Sequence, residues 1–145
     1  MITIKKSETA DTRTCDWSKV TKDQLRESSL QHKQDVSNWI ALFSLMLSRA
    51  AVTHDEDKIV NLDEFHADFI TGFNAKTEWW KNHLKITRHH LTSEDGVGCP
   101  EDVNLVDVLE MIVDCVMAGK GRTGSVYTVT INPDVLKRAV DNTVE

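Results

Sequence analysis

The stretch AVTHDEDKI, residues 51–59, places a His-Asp pair at the end of an apolar run and a lysine three residues later. His54 and Asp55 are costly at the edge of a buried segment unless another group pairs with them. Thr53 and Glu56 around them fit a capping box, in which both side chains satisfy free amides at the start of a helix. The alternative is that His54 and Asp55 bind a metal ion, and the surrounding sequence has to decide between the two.

Apolar residues recur every three or four positions on both sides of this stretch, which predicts amphipathic helices. Capping residues precede these segments, and glycine follows several of them. The segment 125–131 instead alternates like a short strand. The predicted fold class is therefore all-α, with at most a small C-terminal hairpin. The predicted helices run from a cap at Thr21 through Val36 and Leu47, from Asn61 to about Gly72, from Lys76 to Leu91, from Asn104 to Ala118, and onward from Asn132-Pro133.

The composition is that of a soluble globular protein: 40% of the 145 residues are hydrophobic and 28% are charged. We expect a flexible arm over residues 1–20 and a single domain over residues 21–145. The net charge of −6 disfavours binding to a nucleic-acid polymer or a membrane surface. The apolar run Trp39–Val52 contains polar residues and is expected to be too short and too polar to span a bilayer. The three cysteines, Cys15, Cys99 and Cys115, form neither an even disulfide set nor a close-spaced metal motif, and residues 1–14 hold no apolar leader. Both observations favour the cytoplasm.

All six histidines lie between residues 32 and 90. His32 continues the apolar stripe of the first predicted helix, so it is predicted to face inward. His83 and His90 are seven residues apart and share one helical face. His89 is about a third of a turn away from His90. A lone inward histidine is usually a hydrogen-bonded core residue, so the set carries more weight than any one member.

The fourth predicted helix carries a stripe of carboxylates beside its apolar stripe. A solvated acidic face is the plain interpretation of Asp107 and Glu110. Asp114 differs from them, because the segment EMIVDCVMA surrounds it with apolar residues. Imidazole and carboxylate groups on a helical scaffold suit Mn, Fe, Co, Ni or Zn, or Mg where oxygen ligands dominate. The core positions predicted for this helix are Val106, Leu109, Val113 and Val116.

The order H…HD…H…HH…D along the chain resembles the HD-domain superfamily of metal-dependent phosphohydrolases. HDEDK also matches the HDxxK form of the central motif of that superfamily. The pieces RAAVTHDEDK, HLKITRHH, LEMIVDCVMAG, RTGSVY and DNTVE are similar to those of uncharacterised phage and bacterial HD-like proteins. The resemblance covers about residues 26–145. It implies an HD-domain-like helical bundle. It also implies a cytoplasmic protein, located in the host cytoplasm if a phage encodes it.

The resemblance further implies hydrolysis of a small phosphate ester, most often a nucleotide, by water that a divalent ion activates. One or two ions would be bound. His89 is an alternative ligand to His83 or His90, or else it positions the phosphate. The implied metal ligands are His32, His54, Asp55, His83, His90 and Asp114.

Two parts of the sequence are candidates for contact with the phosphate. Lys58 lies one helical turn beyond Asp55, so its ammonium could meet a phosphate oxygen, although a surface lysine is about equally favoured. Asp55 and Lys58 are the predicted catalytic residues. The Gly-flanked loop with Arg122, Thr123 and Ser125 offers free amides and a forked donor. The alternative for this segment is an ordinary loop that ends a helix.

A reach condition limits the role of His32. A straight helix from residue 25 to residue 51 would hold His32 and His54 roughly 30 Å apart, at about 1.5 Å per residue. Both can bind one ion only if the helix breaks, and the prediction places a turn between Phe43 and Ala51. Two other functions stay open: a di-iron oxygenase, which some HD-fold proteins are, and a non-catalytic module that binds a nucleotide or a protein.

Overall fold

The computed structural model describes residues 11–72, 78–92 and 98–144. All regular structure in these ranges is helical, so the all-α prediction is confirmed. Two short 3-10 segments, Thr12–Thr14 and Arg88–His90, accompany the α-helices. The α-helices are α1 (Lys22–Thr53), α2 (Glu56–Val60), α3 (Leu62–Phe69), α4 (Glu78–Ile86), α5 (Leu105–Thr123) and α6 (Pro133–Val144).

The chain divides into two compact units, Met1–Leu45 and Met46–Glu145. In the first unit, α1 begins at a reciprocal capping box. The Gln24 amide donates to the Thr21 hydroxyl at 3.2 Å, and the Thr21 amide donates to the Gln24 side chain at 2.9 Å. This start agrees with the sequence prediction.

Helix α1 continues without a break through residues 43–51, so the predicted turn there is wrong. Hydroxyl groups in this region bond back to the preceding turn and leave the helix intact. The Ser44 hydroxyl donates to the Ile40 carbonyl at 3.0 Å, and the Thr53 hydroxyl donates to the Arg49 carbonyl at 3.2 Å.

The helical segment Lys22–Val60 is long and apolar enough to cross a membrane by length and composition alone. None of its most apolar window is buried. The core helices of soluble proteins pass the same test of length and composition. That a membrane is not a partner of this helix stays a prediction.

In the second unit, α5 and α6 begin at the predicted caps. The Asn104 side chain accepts the Val106 amide at 2.8 Å, and the Asn132 side chain accepts the Asp134 amide at 2.8 Å. The predicted third helix is shorter than expected. It ends at Ile86, and the chain then forms the 3-10 segment with His89 and His90.

The segment 125–132 contains no strand, so the short strand that its alternation indicated is absent there, and the described residues hold no hairpin. This segment follows Gly124, whose φ of 75° ends α5, and it packs back against that helix. A Cβ atom on Gly119 would lie 2.9 Å from the Tyr127 backbone nitrogen. Gly119 therefore allows close packing inside α5, whereas the sequence predicted that it ends the helix.

The small core of the second unit lies where α5 and α6 meet, around Val103, Val108 and Ala139. Of the four core positions predicted for α5, Val106 is buried and Val116 is partly buried, but Leu109 and Val113 are exposed. The apolar stripe was assigned correctly as a helical face. The error lies in the assumption that a neighbouring element covers its whole length.

Candidate metal centre

The turn between α1 and α2 presents His54 and Asp55. Asp55 adopts left-handed backbone angles, φ 52° and ψ 22°, which aspartate tolerates better than most non-glycine residues. The Thr53 hydroxyl bonds back into α1, and α2 begins without a side-chain cap. The capping-box interpretation of this stretch is therefore wrong.

The Asp55 carboxylate lies among three imidazole rings. Its Oδ1 atom is 3.6 Å from His89 Nε2 and 3.7 Å from His83 Nε2. Its Oδ2 atom is 3.6 Å from His54 Nε2. These separations are too long for hydrogen bonds. They suit atoms that share a cation, because ligands bound at about 2.1 Å stand roughly 3 Å or more apart.

Glu110 contacts two of these rings, those of His54 and His89, at the Nδ1 atoms that face away from Asp55. Its Oε1 atom is 2.9 Å from His54 Nδ1 and 3.1 Å from His89 Nδ1. A carboxylate that receives the Nδ1 proton of an imidazole leaves Nε2 as the free ligand atom, and this pairing is common behind metal-bound histidines. Both Nε2 atoms are on the side of Asp55.

Asp57 holds the third ring in the same manner. Its Oδ2 atom is 2.8 Å from Nδ1 of His83, which is fully buried. Trp79 stacks on His83 with ring centroids 5.1 Å apart and an interplanar angle of 10°, which fixes the ring plane. The Nε2 atom of His83 lies within hydrogen-bonding distance of His90 Nε2, at 2.8 Å.

The remaining predicted ligands are Asp114 and His32. Asp114 Oδ1 is 3.7 Å from His54 Nε2. His32 belongs to the first unit, is half exposed and has its Nδ1 atom 3.6 Å from Asp11. The helix break on which its role depended is absent, so we leave it out of the ligand set. The predicted ligands that the structure brings together are His54, Asp55, His83, His90 and Asp114.

Sequence reasoning missed Asp57 and Glu110 as parts of the cluster. Glu110 was assigned to a solvated face, but its side chain is only 17% exposed and contacts two histidines. Its spacing of four residues from Asp114 was the available signal, because that spacing places both carboxylates on one helical face. Asp57 offered no comparable signal beyond its nearness to Asp55. His89, assigned to substrate binding, lies at the centre of the cluster.

The predicted phosphate contacts differ in their placement. The Lys58 ammonium forms an ion pair with Asp55 Oδ2 and so lies at the cluster. Arg122, Thr123 and Ser125 are exposed at the far end of α5. Arg122 is twelve residues beyond Glu110, which is about 18 Å at 1.5 Å per residue. Within the described residues, this segment is not brought to the cluster.

Arg88 anchors the 3-10 segment that carries His89 and His90. Its Nε and Nη2 atoms donate to Asp107 at 2.9 and 2.8 Å, and its Nη1 atom lies 3.2 Å from Asp102. Asp107 was assigned to a solvated face, but it is only 5% exposed. The paired guanidinium is the reason that this carboxylate can be buried.

The electrostatics of the cluster favour a bound cation. Burial raises the pKa of Asp55, but the hydrogen bond and charge of Lys58 outweigh it, so the net pKa lies below the usual value. Burial, followed by the charges of His89 and His83, lowers the pKa of His90 to about 4. Burial and the charge of His54 lower the pKa of His89. His89 and His90 are therefore neutral near pH 7, as metal ligands must be.

Unpaired atoms provide the test of whether the residues fit a metal ion. Asp55 Oδ1, Asp57 Oδ1 and His89 Nε2 are buried without hydrogen-bond partners among the described residues. Such groups are costly to bury unless something binds them. Three sets offer ligand atoms within 4.8 Å of one another, namely His54, His89 and Glu110; Asp55, His89 and His90; and Asp55, Asp57 and His83. The donor set fits a divalent transition metal.

The cluster opens into a cavity of about 470 Å³, lined in part by Asp55, His89, Arg88 and Glu110. This volume lies in the range of small-molecule sites.

Comparison of the chain with known protein families, with curated proteins and with solved structures finds no match.

Proposed function

We propose that this protein is a metal-dependent phosphohydrolase of small phosphate esters, built on an HD-domain-like helical bundle. The observation that supports it most is the unpaired Asp55 Oδ1 atom, which lies between the Nε2 atoms of His83 and His89. A buried carboxylate oxygen that faces two imidazole nitrogens without a hydrogen bond to either is an arrangement that a cation would stabilise. The resemblance noted in the sequence implies the same chemistry.

The ligand set supports one or two divalent ions. His54, Asp55 and Asp114 would hold one ion together with His89, whereas His83 and His90 would serve a second one beside Asp55. When bound, such an ion lowers the pKa of a coordinated water from about 15.7 toward about 7 and neutralises charge on phosphate oxygens.

The other residues of the cluster orient and balance these ligands. Glu110 and Asp57 fix the imidazole rings through Nδ1, so that the Nε2 atoms need no reorganisation when a cation enters. The Lys58 ammonium forms an ion pair with Asp55, and in the proposed function it would meet a phosphate oxygen. In the proposed reaction, a water oxygen bonds to phosphorus, the ester P–O bond breaks, and a proton from the water passes to the leaving alkoxide.

An oxygenase with two iron ions is the second candidate. His83 Nε2 and His90 Nε2, which are 2.8 Å apart, would serve its second iron ion as they would serve a second ion in the hydrolase. Iron content together with oxygen uptake would identify this activity. Release of inorganic phosphate without oxygen uptake identifies the hydrolase.

The test combines metal analysis with turnover. Wild-type protein, Asp55→Asn and the control Asp63→Asn are each loaded with Mn²⁺ and dialysed, because Asp63 is an exposed carboxylate on α3 outside the cluster. We expect about one or two bound ions in wild type and Asp63→Asn, and at least a tenfold loss of affinity in Asp55→Asn. Each protein is then screened against phosphate esters, nucleotides included, for release of phosphate. Equal metal content in all three proteins would overturn the proposed site.

A further inference from the structure

A second cavity, of about 530 Å³, opens beside the metal cluster. One wall is the last part of α1, from Leu47 onward, together with His54 directly after that helix, and the other is the middle of α5 around Val113. At one end of this cavity lie three members of the cluster, namely His54, Glu110 and Asp114. All the other lining side chains are apolar: Leu47, Ala50, Ala51, Leu109, Val113 and Met117.

The two cavities differ in the chemistry of their walls. The lining of the first cavity mixes charged groups, among them Asp55, Asp57 and Arg88, with apolar residues such as Val60 and Ile86. Apart from the weakly accepting thioether of Met117, the apolar side chains of the second cavity neither donate nor accept a hydrogen bond, so they offer little recognition of sugar hydroxyls or the polar edge of a base. Burial of apolar surface is the interaction that such walls provide.

The exposure of the lining residues also needs an explanation. Val113 is 60% exposed and Met117 is 59% exposed, although both lie on the helix that carries Glu110 and Asp114. An exposed apolar patch with polar groups at its end is typical of a binding site. Its continuity with the cluster indicates an occupant that has a charged end at the cluster and an apolar remainder.

We propose that this second cavity binds the apolar organic group of the phosphate ester, so that the substrate is an alkyl or aryl phosphate. This inference rests on the proposed function. It restricts the substrate class to alkyl and aryl phosphates and excludes nucleotides. From His54 to Leu47 the wall is seven residues long, about 10 Å at 1.5 Å per residue. A chain of several carbons therefore fits between the cluster and the open end.

Binding of alkylphosphonates tests this proposal without turnover, because their C–P bond is not a phosphate ester. Titration calorimetry of the Mn²⁺-loaded protein compares methyl-, propyl- and hexylphosphonate. In wild type we expect the affinity to rise by up to about fourfold per added methylene, which corresponds to about 0.8 kcal/mol of apolar burial. The rise should stop once the chain reaches the open end.

Two substitutions test whether the dependence of affinity on alkyl-chain length arises in the second cavity. Val113→Gln should reduce the hexyl-to-methyl affinity ratio at least fivefold. Val126→Gln, at an exposed valine that lines neither this cavity nor the first one, should keep the wild-type ratio. Circular dichroism on each variant checks that it is folded. If Val113→Gln is not folded, Met117→Gln takes its place.

The outcomes separate this inference from the function on which it rests. Equal affinity for methyl- and hexylphosphonate in wild type overturns the apolar subsite but leaves the metal site standing. A protein that retains no Mn²⁺ overturns the proposed function itself. A dimer in sedimentation that Val113→Gln dissociates, with a flat phosphonate series, shows that a second copy occupies the cavity and also overturns the inference.

Discussion

Arg88 donates two parallel hydrogen bonds to Asp107, and this pair joins the histidine-bearing 3-10 segment to the first turn of α5. Asp107 also accepts the backbone amide of Asn104, so one carboxylate caps the helix and fixes the guanidinium. The hydrogen bond to Asp107, opposed by burial, raises the pKa of Arg88 and keeps it charged. The positions of His89 and His90 therefore depend on a contact that involves no proposed ligand atom.

Replacing Arg88 should weaken metal binding although Arg88 is not a ligand, because it positions the 3-10 segment that carries His89 and His90. Arg88→Lys removes the bidentate geometry, since a lysine cannot donate in a planar fork. We expect the affinity for Mn²⁺ to fall roughly tenfold, within the range seen when outer partners of ligands are lost. Titration with a competing chelator measures this affinity. Arg49→Lys, at an exposed arginine on α1, is the control and should bind as wild type does.

Glu110→Gln should show the effect of losing a shared acceptor. One glutamine oxygen can still accept a hydrogen bond, but the carboxylate charge that stabilises both imidazoles is gone. The expected loss of metal affinity is roughly 10- to 100-fold. Glu101→Gln, an exposed residue before α5, is the control. Unchanged metal affinity in Glu110→Gln would contradict the orienting role of this residue.

The left-handed backbone at Asp55 predicts different stabilities for two substitutions. Asparagine tolerates this conformation about as well as aspartate, whereas alanine is penalised by about 1 kcal/mol or more. Without metal, Asp55→Ala should thus be less stable than Asp55→Asn by about 1 kcal/mol. Both variants should lose the metal, and urea unfolding of the metal-free proteins measures the difference. Equal stabilities would argue against the left-handed turn.

The stability of the metal-free protein should decrease in acid because of His90. Its pKa is about 4 in the folded protein and about 6.5 as a free imidazole, and burial is the main cause. Between these values the unfolded chain binds a proton that the folded chain does not, so stability falls as the pH drops from about 6.5 to about 4. Urea midpoints across this range should fall less steeply in His90→Asn. A parallel slope in that variant would contradict the prediction.

Local signals in the sequence predicted the fold well where a few adjacent residues decide it. The starts of α1, α5 and α6 follow from the caps at Thr21, Asn104 and Asn132, because capping involves only the next three residues. The segment 125–131 alternates like a strand, but it has no partner strand and packs on Gly119. A strand needs a partner strand from another part of the chain, and the alternation within one segment does not show whether such a partner exists.

The candidate site was predicted in part for a similar reason. His54, Asp55 and Asp114 stood out because charged groups beside apolar ones need a partner. Glu110 did not stand out, since a carboxylate on a helix looks the same whether it faces water or two imidazoles. The turn in α1 was predicted wrongly because the reach condition for His32 assumed that this histidine was a ligand, although no glycine or proline marks a break there.

Because Lys58 forms an ion pair with Asp55, binding of the proposed metal ion would be an exchange of cations. An ion that takes Asp55 Oδ2 displaces the ammonium, and the released ammonium is then available to an anion. The two ligands should therefore bind with positive coupling, the metal ion first and the phosphate second, and by linkage each raises the affinity for the other by the same factor.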